Sequence, residues 1–125
     1  MKRLVVESWL LLLYFELPVK LRAFRAIRSM VQNQSVRATG NAASISSDLL
    51  CRAIDFACVF YFRKALCLQR SAATTLLLRR HGWSAEMVTG VQIIPYRAHA
   101  WVEIQGNVVN DKPYMLDIYQ VLERY

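Results

Sequence analysis

The sequence predicts an α+β fold, with helices first and a small antiparallel sheet after them. Three observations carry that prediction. The first eighty residues place apolar side chains at helical spacing. From Ala85 onward the pattern changes to alternating runs such as "RAHAWVEIQ". Pro95 and Gly106–Asn107 then fall where an antiparallel sheet has to turn. With 125 residues, 55% of them hydrophobic, the chain reads as one domain, residues 1–125. It is large enough to bury a core without disulfide or metal staples. Within it, residues 1–45 read as a helical segment and loop, and residues 46–125 as the core.

The elements follow in order. "LVVESWLLLLYFEL", Leu4 to Leu17, starts basic at Lys2 and Arg3 and then turns apolar, as a signal peptide does. Glu7 and Glu16 interrupt it, no small-residue cleavage site follows, and it is too short to span a bilayer. It is therefore read as a buried helix, ahead of a helix that docks on a membrane surface or a partner. Pro18 is expected to split this helix from a second one running to Gln32. That second helix sets Leu21, Phe24, Ile27 and Val31 on one face and Arg22, Arg25 and Arg28 along a basic ridge. Asn33 to Ser44 is a polar loop turning at Gly40–Asn41. The next helix takes Ser46 or Ser47 as N-cap and buries Leu50, Ile54, Ala57 or Cys58, and Tyr61, which makes Cys51 and Cys58 core residues. "CLQRSAATTLLLRRHG" is a helix that starts at Cys67 and stops at Gly82. Arg79, Arg80 and His81 sit in its last turn, where the dipole favours cations. Small and apolar residues on nearly every side mean that it is packed around most of its circumference. Two strand-like runs follow, "AEMVTGVQIIP" and "RAHAWVEIQ", then a short third strand, "VVND". "YMLDIYQVLERY" fits a closing helix or a closing strand equally.

The net charge of +7 suits an anionic partner, but the basic residues are scattered and no RNA-type aromatic motif accompanies them. Nucleic acid is therefore not expected as a partner, and membrane contact would have to come through the first helix. The three cysteines have no paired spacing. Cys51 and Cys58, seven positions apart on one helix, are separated by roughly 10 Å along its axis, beyond disulfide reach. With no C-x-x-C and the two histidines far apart, a reducing, cytoplasmic setting without structural zinc fits best.

Three residues could carry chemistry: Cys67 opening a helix, His99 on a strand, and Asp111 ending the next strand. A helix N-terminus and a nearby imidazolium both stabilise a thiolate. The imidazole can then protonate a leaving amine, and a carboxylate on the adjacent strand fixes its tautomer and orientation. From spacing alone, an ordinary reading stands beside each: an inert thiol, a satisfied strand histidine and a turn aspartate.

The segment from Cys67 to Pro113 resembles the transglutaminase-like cysteine peptidases of lasso-peptide biosynthesis, the B2-type leader peptidases. "CLQRSAATTLLLRRHGWSAEMVTGV", "AHAWVEIQG" and "VVND" carry the resemblance, in that order. It implies a papain/transglutaminase-like core in which Cys67 is the nucleophile, His99 the general base and acid, and Asp111 the orienting carboxylate, with no cofactor or metal. His99 would then face the helix that carries Cys67, with Trp101 and Glu103 on the same strand face, either shaping the site or simply packing. The implied reaction removes the leader from a ribosomally made precursor peptide, after which an ATP-dependent lasso cyclase closes the ring. Family members also occur fused to a winged-helix leader-recognition domain. Residues 1–66 read here as helices without strands, so a separate B1-type recognition protein is the expected partner. An acyltransferase with the same triad and a non-catalytic leader-binding scaffold are the rival readings.

Overall fold

The computed structural model describes residues 2–21, 23–36 and 45–125. Arg22 of the expected basic ridge and the expected Gly40–Asn41 turn lie outside them. Helix α1 (Lys2–Tyr14) and the short α2 (Glu16–Lys20) run nearly end to end. Phe15 N–H still reaches Leu11 O at 3.3 Å, and Val19 N–H reaches Phe15 O at 3.1 Å. The expected break at Pro18 therefore falls elsewhere. Pro18 occupies the first turn of α2, where a backbone N–H has no helical acceptor to lose. The chain bends at Phe15 instead, and again before α3 (Phe24–Gln32).

Helix α1 buries Leu4, Leu11 and Leu12 but exposes Val6, Leu10 and Leu13, so it is half-buried, not enclosed as expected. On α3, Ile27 and Val31 are buried while Phe24 stays exposed, as does Leu21 before it. Helix α4 (Ser47–Phe60) has Ser46 as its N-cap, whose Oγ accepts from Leu49 N–H at 3.2 Å. It buries Leu50, Ala53, Ile54 and Ala57. Cys51 and Cys58, expected in the core, are only half-buried at its flank.

Helix α5 (Cys67–Arg80) is the centre of the fold. Gln69 and every residue from Ser71 to Arg79 are buried, because α1, α4 and α3 pack on one side and the sheet on the other. The helix stops at Gly82 as its sequence predicts, with φ at +90°. Trp83 N–H bonds Leu78 O at 2.9 Å and Gly82 N–H bonds Arg79 O at 3.2 Å, the paired bonds of a Schellman cap. Arg79 does more than answer the dipole. Its guanidinium turns inward and donates to Ala85 O at 2.9 Å, Val31 O at 2.6 Å, Gln34 O at 3.0 Å and Tyr125 O at 2.8 Å. Burial lowers its pKa from the ordinary arginine value, with Glu86 opposing that shift.

The sheet is antiparallel throughout, in the order β3-β2-β1-β4, from β1 (Ala85–Gln92), β2 (Arg97–Ile104), β3 (Asn107–Val108) and β4 (Gln120–Arg124). The β2–β3 turn centres on Gln105–Gly106, one residue earlier than expected. Both have positive φ, +51° and +81°, as a two-residue hairpin turn requires. The ambiguous C-terminal run is both things in succession, a one-turn α6 (Met115–Ile118) and then β4. One sheet face adds Met87 and Val102 to the main core around α5. The other face carries a second cluster of Val88, Trp101 and Met115.

Candidate active site

Cys67 is the first residue of α5, and its side chain is exposed. The N-cap, Leu66, offers no side-chain acceptor, so the first-turn amides point past Cys67 without a cap. On β2, His99 Nε2 lies 2.6 Å from Asp111 Oδ2, with both side chains about one-quarter exposed. The second carboxylate oxygen of Asp111 accepts Lys112 N–H at 2.8 Å. This bond to Nε2 leaves Nδ1 as the ring nitrogen with which His99 can exchange a proton.

Cys67 and His99 line the same two adjoining hollows. One, of about 290 Å³, is apolar, walled by Phe24, Leu68, Val91, Tyr96, Ala98 and Leu122. The other, of about 210 Å³, is more polar and is walled by Arg70, Ser71, Asn110 and Asp111. Together they form a cleft that both residues border. A larger hollow of about 420 Å³ around Arg79 and Glu86 contains neither residue.

Two residues that the sequence reading passed over set this geometry. Ser71 stands one helical turn after Cys67 and donates from Oγ to Ala100 O at 3.0 Å, the residue next to His99. Asn110 Oδ1 accepts Val102 N–H at 2.7 Å, and its Nδ2 donates to Ser71 Oγ at 3.3 Å. Beyond the short β3 and the bond from Val109 N–H to Val102 O at 3.0 Å, these side chains take over along the margin of β2, and Asn110 leads directly into Asp111 beside His99. The signal available in the sequence was the Asn-Asp pair after a strand, which predicts a turn and nothing more.

The expected facing of β2 needs correction. Trp101 and Glu103 lie on the sheet face away from α5, because alternation sends Val102 to the main core and Trp101 to the second cluster. There Trp101 Nε1 donates to Glu103 Oε2 at 2.9 Å, and Arg124 Nε lies 3.5 Å from Glu103 Oε1. The His99 ring stacks with Trp101 and Tyr119, at centroid distances of 6.1 and 5.3 Å. It meets the Cys67 hollow from the sheet margin, not from the face that packs on α5.

The family model of the transglutaminase-like superfamily matches residues 9–124. The chain belongs to that superfamily. It is also 39% identical, over 59 residues, to the microcin J25-processing protein McjB of Escherichia coli. The match covers 47% of this chain and 28% of that one, so it spans just over a quarter of the relative's length. No solved structure matches the chain. Both findings agree with the resemblance drawn from Cys67 to Pro113.

The other two thiols of this transglutaminase-like chain are poor nucleophiles. Burial pushes Cys51 up to about 11, with Asp55 and Asp48 adding to the rise, and burial also raises Cys58. Among the described residues, no helix is long and apolar enough to cross a membrane.

Proposed function

We propose that this chain is a cysteine endopeptidase that removes the leader from a ribosomally synthesised lasso precursor peptide. The observation that carries the proposal is the shared cleft, in which an exposed helix-start Cys67 and His99 border both hollows and Asp111, bonded to His99, borders the polar one. The similarity to a microcin-processing protein supports the substrate class. In this reading the Cys67 thiolate attacks the scissile carbonyl, and α5 first-turn amides hold the oxyanion. His99 Nδ1 then gives its proton to the leaving amine, and water releases the acyl-enzyme. The apolar hollow receives a side chain of the peptide. The whole chain, residues 1–125, acts as one domain in this scheme.

A separate leader-recognition protein would deliver the precursor, and an ATP-dependent cyclase would use the product. A short cleft binds a flexible peptide weakly, because ordering the peptide costs free energy. A partner that holds both leader and peptidase makes the second contact intramolecular. The exposed stripe of Val6, Leu10, Leu13 and Leu17 is the docking surface proposed for it. The basic ridge is a poorer one, since Arg28 is already paired with Glu123.

The test is mass spectrometry of a candidate precursor incubated with this chain while the recognition protein is titrated from zero. Cleavage at the leader junction, abolished by Cys67→Ala and by His99→Ala, is the expected result. An uncleaved precursor at saturating partner would sink the peptidase reading. An amide formed with an added primary amine, in place of the free acid, would instead select the acyltransferase.

A further inference from the structure

Tyr119 lies beyond the Cys67–Pro113 segment that carries the family resemblance, at the junction of α6 and β4. It is half-buried, and its N–H closes α6 on Met115 O at 2.9 Å. We propose that Tyr119 is a positioning residue for His99, its ring forming with Trp101 an aromatic seat that holds the imidazole in its working orientation. The proposal rests on the reading of Cys67, His99 and Asp111 as one unit.

Three ring pairs carry it. His99 and Tyr119 are 5.3 Å apart with an interplanar angle of 27°, and His99 and Trp101 are 6.1 Å apart at the same angle. Tyr119 and Trp101 are themselves 5.8 Å apart at 38°. Near-parallel rings at these centroid distances are offset-stacked, so the imidazole lies beside two aromatic surfaces that restrict its tilt. Asp111 alone does not fix the ring, because one bond to Nε2 still allows it to swing and tilt through its Cα–Cβ and Cβ–Cγ torsions. A stacked face removes this freedom, and proton transfer requires the removal, since productive geometry tolerates only about 10–20°.

The seat is itself secured. Trp101 is fully buried, and its indole N–H is fastened to Glu103, which Arg124 approaches from β4. Gly90, directly opposite His99 in the β1–β2 register, leaves room for the indole. A Cβ there would lie 2.8 Å from Trp101 Cη2 and 2.9 Å from Gln120 O. Among the described residues, the titratable and charged groups around the His99 ring are few. They are Asp111 at Nε2, Cys67 and Arg70 from α5, Tyr96 from the β1–β2 turn, and Tyr119 itself, with Glu103 behind Trp101.

The experiment follows Cys67 alkylation by iodoacetamide from pH 5 to 9 in the full-length protein, Tyr119→Leu and Tyr119→Phe. At pH 6 an isolated thiol is almost wholly protonated, so reaction there reports a thiolate paired with a charged imidazole. Tyr119→Leu should lose this low-pH reactivity by about tenfold while staying within about twofold at pH 9, and Tyr119→Phe should track the unaltered protein. Equal low-pH rates in Tyr119→Leu and the unaltered protein would overturn the proposal. So would a fall in Tyr119→Phe as deep as in Tyr119→Leu, since the hydroxyl and not the ring would then matter. Absence of the low-pH limb from the unaltered protein would overturn the Cys67–His99 pair itself. Should Tyr119→Leu fail to fold, the His99 Hε1 resonance of the unaltered protein supplies the second measurement. Stacking shifts it upfield, and a random-coil position would refute the seat.

Discussion

Replacing Asn110 by alanine removes two hydrogen bonds beside the cleft. Val102 is fully buried, and its N–H donates to Asn110 Oδ1 at 2.7 Å. Without that acceptor a dry N–H is orphaned, which costs about 1–3 kcal/mol. The longer bond from Nδ2 to Ser71 Oγ, at 3.3 Å, adds about 0.5 kcal/mol. The expected destabilisation is therefore about 1.5–3.5 kcal/mol. At about 4 °C per kcal/mol for a chain of this length, Tm should fall by roughly 6–14 °C. Asp111 follows Asn110 directly, so its carboxylate loses the tether that brings it to His99. A displacement of about 1 Å is enough to slow the reaction by about 10²-fold. Asn110→Asp keeps an acceptor for Val102 N–H and gives up only the donor to Ser71, so it should recover most of the stability. Thermal melts of the two variants, with precursor cleavage measured well below both midpoints, check the reasoning. An Asn110→Ala protein that melts within about 2 °C of the unaltered one would refute it.

Brief iodoacetamide treatment at neutral pH should label Cys67 at least about tenfold faster than Cys51 or Cys58 by peptide mapping, since burial raises both of the latter. Equal labelling would remove the thiolate assignment. Arg79→Met takes a donor from four backbone carbonyls and should lower unfolding free energy in urea by about 3–5 kcal/mol, at about 1 kcal/mol per bond; a loss below about 1 kcal/mol would mean that the clamp is dispensable. Gly90→Val drives a side chain into Trp101 and should cost about 1–3 kcal/mol, together with a drop in cleavage, because the His99 seat moves. Unchanged cleavage in a protein that still folds would separate Trp101 from His99. Burial alone raises the Glu7 carboxyl, but hydrogen bonds from Arg80 and His81 outweigh it and leave Glu7 below its usual value. Its stabilisation is thus present above the unfolded carboxylate range and is lost as pH falls through the folded value. Urea midpoints of the unaltered protein and Glu7→Gln should differ at pH 7 and converge near pH 3; a constant gap would contradict the linkage.

Local chemistry wrote much of this fold into the sequence. The Ser46 cap, the Gly82 stop and the alternation through β1 and β2 all depend on near neighbours in the chain, and each was readable. Pro18 misled because proline excludes itself from a helix interior but not from a first turn, and only packing decides where the turn begins. Cys67, His99 and Asp111 were legible as candidates through the family resemblance. Their spatial assembly was not, since Ser71 and Asn110 act across 39 positions of sequence. The face of β2 that carries Trp101 was misassigned for a related reason. Period-2 alternation separates two faces but does not say which one a distant helix will cover. Tyr119 left no local trace, because its meaning comes from the register of β4 beside β1.

Strand β3 pairs with only Glu103 and Ile104. Past it, Val109 N–H still bonds Val102 O at 3.0 Å, while Asn110 takes Val102 N–H and Ser71 takes Ala100 O. An unpaired sheet margin is what a second copy of a chain would seize, as the first step toward an aggregate. A longer β3 would prevent that too, but it would roof over His99. Side-chain plugs solve both problems, leaving the margin unattractive to other strands while the hollow stays open to a peptide. Losing either plug would then have a colloidal outcome as well as a chemical one: assembly that grows with protein concentration, seeded at the rim of the cleft.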